Sequence, residues 1–215
     1  MINHTVQLIN ANALDGIHTL IDKGIKVDCI ITRFNKEYFY EETMKDTLKD
    51  VVKHLCCVLI DDGTTYIEVA LKDISVVLDV FSSMGFNLLN ILTIPKKYDK
   101  KPCHPKKYID DDLNYALFFS KQCSIPRYIN PIMNSEDKCN CQISANWSWF
   151  NGTNIDSYRE MMKISTDHGQ IVLDPFMDNG DVGVAAILQD RNFIGIEISK
   201  ARFDDTQRRL SEQGE

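Results

Sequence analysis

The chain is predicted to be an α/β protein with a mostly parallel central sheet and helices on both faces. Two observations carry this. Short apolar, β-branched runs alternate with amphipathic stretches along much of the 215 residues, and a glycine-bearing turn joins two such runs near the C-terminus. The length and the 44% hydrophobic content suit one domain with a sizeable core, read as residues 1–215.

The elements follow in order. Val27–Thr32 (VDCIIT) reads as a buried strand, and Val58–Val69 (VLIDDGTTYIEV) as another with a polar, glycine-bearing interruption. Between them Met44, Leu48, Val51, Val52 and Leu55 recur at three-to-four-residue spacing, which makes Glu41–Leu55 an amphipathic helix. Ile74–Phe81 reads as a helix ending near Gly85, Asn87–Ile94 as a strand stopped by Pro95, and Tyr115–Phe119 as a further strand. In the last third, a helix at Asp156–Ile164 precedes a strand at Gln170–Leu173. A helix at Val182–Gln189, a strand at Phe193–Ile198 and a helix from Ala201 complete the alternation. Lys96–Asp112 and Gln122–Ala145 lack periodicity and are rich in proline, asparagine, cysteine and charge, the composition of long loops or an insertion.

Composition narrows the function classes. A net charge of −7 excludes a surface that is cationic throughout, so any polyanion must meet a local basic patch. Lys96, Lys97, Lys100, Lys101, Lys106 and Lys107 form such a patch within KKYDKKPCHPKK. No apolar run approaches the roughly 20 residues of a membrane span, and Met1–Leu20 lacks the order of a signal peptide. No membrane association is expected. Seven irregularly spaced cysteines point to thiols in a reducing compartment, with the cytoplasm as the expected location. Cys103, His104, Cys123, Cys139 and Cys141 offer zinc-type donors, but their spacing matches no paired knuckle, and no metal is expected.

Ligands of open α/β sheets sit beyond the carboxyl ends of the strands, where tight turns bring backbone N–H groups toward them. Leu173-Asp-Pro-Phe-Met-Asp-Asn-Gly180 is such a turn: Asp174 ends one strand and Gly180 permits close backbone approach. The next strand ends in Glu197, at about the 20-residue spacing used to hold ribose hydroxyls.

The stretch VLDPFMDNGDVGVAAILQDRNFIGIEIS resembles the cofactor motif of the β-class, permuted S-adenosylmethionine-dependent DNA amino-methyltransferases. In that family Asp-Pro-Phe-x-Gly-x-Gly-x-x-Gly is followed by Arg-Asn-Phe-Ile-Gly-Ile-Glu, and Arg191–Glu197 matches this second part without a gap. The resemblance covers nearly the whole chain in the family's permuted order, catalytic half first. Ile9–Leu14 is similar to the family's opening Asn-Gly-Asp-Ala-Leu, Asp28–Thr32 to its catalytic strand, and Asp62–Ile67 to the strand after it. Asn87–Ile94 and Tyr115–Phe119 are similar to its late strands. The resemblance implies a Rossmann-like methyltransferase fold and S-adenosylmethionine as cofactor. It implies cofactor contacts from Asn12, Thr32, Asp174, Phe176, Gly180 and Glu197, and a target-recognition insertion at 96–145 whose lysines grip phosphates of double-stranded DNA.

The implied reaction methylates an amine, adenine N6, on a base rotated out of the duplex. It needs an aromatic face for stacking and acceptors for the amine. The family uses Asp/Asn-Pro-Pro-aromatic directly after the catalytic strand; this chain has Arg33-Phe34-Asn35-Lys36. Arg33 brings a cation where the amine needs an acceptor and where the sulfonium is already positive. Asn35 retains an acceptor and Phe34 a stacking face. Other departures are Asp178 for the first turn glycine, Asn12 for the opening aspartate, and Thr153-Asn154 where the family has Lys-Pro. The sequence is therefore compatible with two functions: a divergent DNA methyltransferase, and a silent relative that binds nucleic acid or an active partner. The same fold also hosts RNA and protein acceptors. A partner methyltransferase subunit or a second copy of the chain remains open.

Overall fold

The computed structural model describes residues 4–33, 44–95, 113–122, 124–126 and 154–213. The strands are β1 (Val6–Asn10), β2 (Val27–Arg33), β3 (Leu59–Val69), β4 (Phe86–Pro95), β5 (Leu113–Lys121), β6 (Ile171–Asp174) and β7 (Asn192–Glu197). The helices are α1 (Ala13–Asp22), α2 (Met44–Val58), α3 (Ile74–Ser83), α4 (Asn154–Ser165), α5 (Asp181–Ile187) and α6 (Lys200–Gln213). Among the described residues the strands form one sheet in the order β1-β7-β6-β2-β3-β5-β4. β5 runs antiparallel to both neighbours, β3 and β4, and every other pairing is parallel. The expected α/β fold with a mostly parallel sheet is what the chain adopts.

The two sheet faces follow from strand periodicity. Successive residues such as Ile30 and Ile31, or Leu117 and Phe118, point to opposite sides and join different clusters. On one side Ile17 and Leu20 of α1, Val52 and Leu55 of α2 and Val80 and Phe81 of α3 pack against Ile30, Leu117 and Leu173. On the other, Met161 and Met162 of α4, Val184 and Ala185 of α5 and Leu210 of α6 cover Ile31, Phe118 and Phe193. Each of the valine, leucine, isoleucine, methionine and phenylalanine side chains among them, fully removed from water, contributes about 1.5–3 kcal/mol.

Three differences from the sequence reading have physical causes. The second helix continues three residues past Leu55, because Val58 extends the stripe of Val51, Val52 and Leu55 and is wholly buried. The polar interruption in the following strand is a register shift, not a break: Val27 pairs with Leu59 but Cys29 with Thr64. Gly63 sits in that shift, where a Cβ would lie 2.9 Å from the Asp28 carbonyl oxygen. β1 and α1 were not expected as elements. β1 is a five-residue edge strand with little fully buried surface, and α1 is capped by Asn12, whose side chain accepts from the Asp15 N–H.

Candidate functional site

From β6 the chain crosses to β7 on one side, and from β2 it crosses to β3 on the other. The carboxyl ends of β6 and β2 therefore lie side by side at the point where the strand order reverses, the place where open α/β sheets bind ligands. Thr32 and Asp174 meet there. The Thr32 hydroxyl donates to Asp174 Oδ1 at 2.6 Å, and the Phe176 N–H donates to the same oxygen at 3.0 Å. Asp174 is buried, and burial pushes its carboxyl up to about 7 against those two hydrogen bonds, with Glu197 and Asp178 adding to the rise.

Glu197 ends β7 with its side chain buried, one oxygen accepting from the Asp178 N–H at 3.0 Å and the other from the Ser199 N–H at 2.8 Å. Gly180 takes a left-handed φ of +76°, and a Cβ there would stand 2.4 Å from Thr206 Cγ2, so any side chain at this position is strained. Asp178 also adopts positive φ, +45°. Its carboxylate is drawn 3.2 Å from Arg202 on α6. Its carbonyl accepts from the Thr206 hydroxyl. The Asp178 that stands where the family has its first turn glycine is thus tied by side chain and carbonyl to the neighbouring helix.

A cleft lined by Ala11, Asn12, Ala13, Pro175, Phe176, Ile196, Glu197 and Ile198 opens beside this turn. It brings together Asn12, Phe176 and Glu197 of the sequence-predicted set. Asn12 lines the cleft while its carbonyl oxygen caps α1 at 2.9 Å and its amide donates to Asp15. The residues fit a nucleoside: Phe176 and the isoleucines offer apolar faces, and Glu197 has unused lone pairs for vicinal hydroxyls.

Beyond β2, Arg33 is described while Phe34 and Asn35 lie outside the described residues, as do Lys96, Lys97, Lys100, Lys101, Lys106, Lys107 and the cysteines at 103, 123, 139 and 141 with His104. Arg33 does not stand alone. Its Nε lies 3.5 Å from Oε1 of Glu68, the residue opposite it on β3. Glu68 is buried and also accepts from Asn114 Nδ2 and from the Tyr158 hydroxyl, both at 2.5 Å. Burial and the adjoining Glu68 carboxylate hold the Tyr158 phenol well above its usual range, and Asp174 acts in the same direction. These three residues went unremarked in the sequence, although a glutamate inside the apolar run Tyr66-Ile-Glu-Val69 is a signal, since buried carboxylates need partners.

A sequence profile described as DNA methylase matches residues 30–208, which takes in both the Arg33 corner and the Asp174–Glu197 turn. The chain belongs to this DNA methylase family. The family is the amino-methyltransferase family that the motifs resembled, and it draws its methyl group from S-adenosylmethionine. The chain is 27% identical over 165 residues to the type II methyltransferase M2.MboI of Moraxella bovis, covering 71% of this chain and 60% of that protein. It is 26% identical over 199 residues to the type II methyltransferase M2.DpnII of Streptococcus pneumoniae, covering 86% and 71%. The crystal structure of an M1.HpyAVI–SAM complex superposes with a TM-score of 0.74 at 24% identity, over 96% of this chain and 100% of that one, so the fold is shared. Among the described residues, no helix is long and apolar enough to cross a membrane.

Proposed function

We propose that this DNA methylase relative transfers a methyl group from S-adenosylmethionine to an exocyclic amine of a DNA base, adenine N6, with the base turned out of the duplex. The observation that carries the reading is the joining of the two halves at the strand-order reversal: Thr32 of the catalytic strand hydrogen-bonds Asp174 of the cofactor turn. The bound cofactor supplies a methyl group made electrophilic by its sulfonium. Glu197 would hold the ribose hydroxyls, Phe176 and Asn12 would flank the nucleoside, and Gly180 keeps the turn's backbone close. Asn35 and Phe34 would receive the amine and stack the base, and the lysines within the 96–145 insertion would engage phosphates of double-stranded DNA.

The test is incorporation of radiolabelled methyl into unmodified DNA, followed by digestion to separate N6-methyladenine from N4-methylcytosine. Glu197→Ala should lower incorporation at limiting cofactor by at least about tenfold, the loss of hydrogen bonds to a buried charged group. Absence of label from every DNA offered would sink the reading. One observation favours a second function, a silent binding module: Arg33 occupies the acceptor position. That alternative predicts cofactor binding by calorimetry and salt-dependent DNA binding with no transfer.

A further inference from the structure

We propose that Glu68 is a positioning residue for methyl transfer, the buried counter-ion that neutralises Arg33 and holds its guanidinium beside the methyl-donor site. The assignment rests on the proposed use of S-adenosylmethionine. Its warrant is the geometry of the corner. Thr32, bonded to the cofactor turn through Asp174, is the residue before Arg33, so the end of β2 that carries Arg33 adjoins the turn beside which a cationic donor would lie. Glu68 is in register with Arg33 on the adjacent parallel strand, and its Oε1 lies 3.5 Å from the guanidinium Nε.

The asymmetry of exposure shows which partner is fixed. The Arg33 side chain is 54% exposed and that of Glu68 only 2%. The Tyr158 hydroxyl and Asn114 amide each grip one Glu68 oxygen, so the carboxylate is anchored from α4 and β5 before Arg33 reaches it. Two hydrogen-bond donors and the Arg33 guanidinium thus surround the buried carboxylate. The arrangement departs from the family's corner, which has Asp or Asn directly after the catalytic strand. Here a cation ends that strand, and the compensating acid sits one strand over.

At an effective dielectric of about 20–40, one uncompensated charge several ångströms from a bound cation changes its binding on the order of tenfold. Comparing the sulfonium cofactor with its demethylated thioether, S-adenosylhomocysteine, isolates that charge, because the two ligands otherwise share their contacts. Calorimetry of both ligands should show the preference for the sulfonium falling about tenfold in Glu68→Gln and rising about tenfold in Arg33→Gln. The double variant should return to within about twofold of the wild type. Methyl transfer by Glu68→Gln should fall with the sulfonium preference and recover in the double variant.

A merely structural Glu68 would weaken both ligands equally and leave the preference flat. If Glu68→Gln does not fold, Arg33→Gln, on an exposed side chain, carries the test alone. Unmoved preferences in the variants that bind overturn this assignment and leave the proposed function standing. Wild-type protein that binds neither ligand overturns both.

Discussion

Replacing Asp174 by Asn should stabilise the protein at alkaline pH and leave it unchanged near pH 4. In the native state Oδ1 accepts both hydrogen bonds, from Thr32 at 2.6 Å and from Phe176 at 3.0 Å. An asparagine carbonyl keeps both, and its amide occupies the place of the second carboxyl oxygen as a donor, mimicking the protonated acid. Burial raises this carboxyl from 3.8 to about 7, with Glu197 and Asp178 contributing. The unfolded chain releases the proton near pH 4 while the folded chain holds it to about 7. Stability is thus fully present below the unfolded value and lost as pH climbs through the folded one.

About three units at 1.36 kcal/mol each give a loss of up to about 4 kcal/mol between pH 4 and pH 8, absent from Asp174→Asn. Urea unfolding of both proteins at half-unit intervals across that range, with equal m-values, reads the difference directly. Parallel stability curves for the two proteins, or an Asn variant less stable at pH 8, would refute the burial argument. Retaining so costly an acid is what a functional site does when its chemistry needs the charge and the fold tolerates the strain.

Three further outcomes are expected. Gly180→Ala forces a Cβ into the left-handed region and against Thr206 Cγ2, costing about 2–4 kcal/mol, so thermal denaturation should show the midpoint falling by roughly 5–15 °C. Tyr158→Phe removes a donor from the buried Glu68 carboxylate and should cost about 1.5–3 kcal/mol in urea unfolding; a loss below about 0.5 kcal/mol would show that water replaces the phenol. Burial raises the Cys29 thiol to about 12, whereas Cys57 is exposed, so alkylation of native protein at pH 8 followed by mass spectrometry should label Cys57 and spare Cys29.

The fold was legible wherever burial forces a period on the sequence. The stripe from Leu48 to Leu55 and the apolar runs Val27–Thr32 and Phe193–Ile198 have one structural reading each, because each must bury a continuous face. Edge strand β1 did not, since Gln7 and Asn10 interrupt a short run whose apolar residues are only partly buried. The site divided in a similar way. Asp174, Gly180 and Glu197 were readable because a turn that brings backbone to a ligand demands particular residues at close spacing. Glu68, Asn114 and Tyr158 were not, because their meeting depends on strand pairing and helix docking between segments 46 and 90 residues apart.

That dependence on distant segments bears on how the site holds together. The Thr32–Asp174 bond spans 142 residues, the Tyr158–Glu68 bond 90, and the bond from the Asn10 amide to the Glu197 carbonyl 187. Each joins the half of the chain that is read first to the half read last; the first and third lie at the carboxyl ends of neighbouring strands, and the second ties α4 to the carboxyl end of β3. In a permuted chain no single supersecondary unit contains both the acid turn and the Arg33 corner. Neither half can then present a pre-assembled site alone: Asp174 gains the Thr32 hydroxyl only after β2–β6 pairing, and Glu68 gains the Asn114 amide only after β3–β5 pairing and the Tyr158 hydroxyl only once α4 docks. Opening either pairing would strip a donor from a buried carboxylate, so the geometry around Arg33, Glu68 and Asp174 is tied to the integrity of the sheet's centre more than to any local turn.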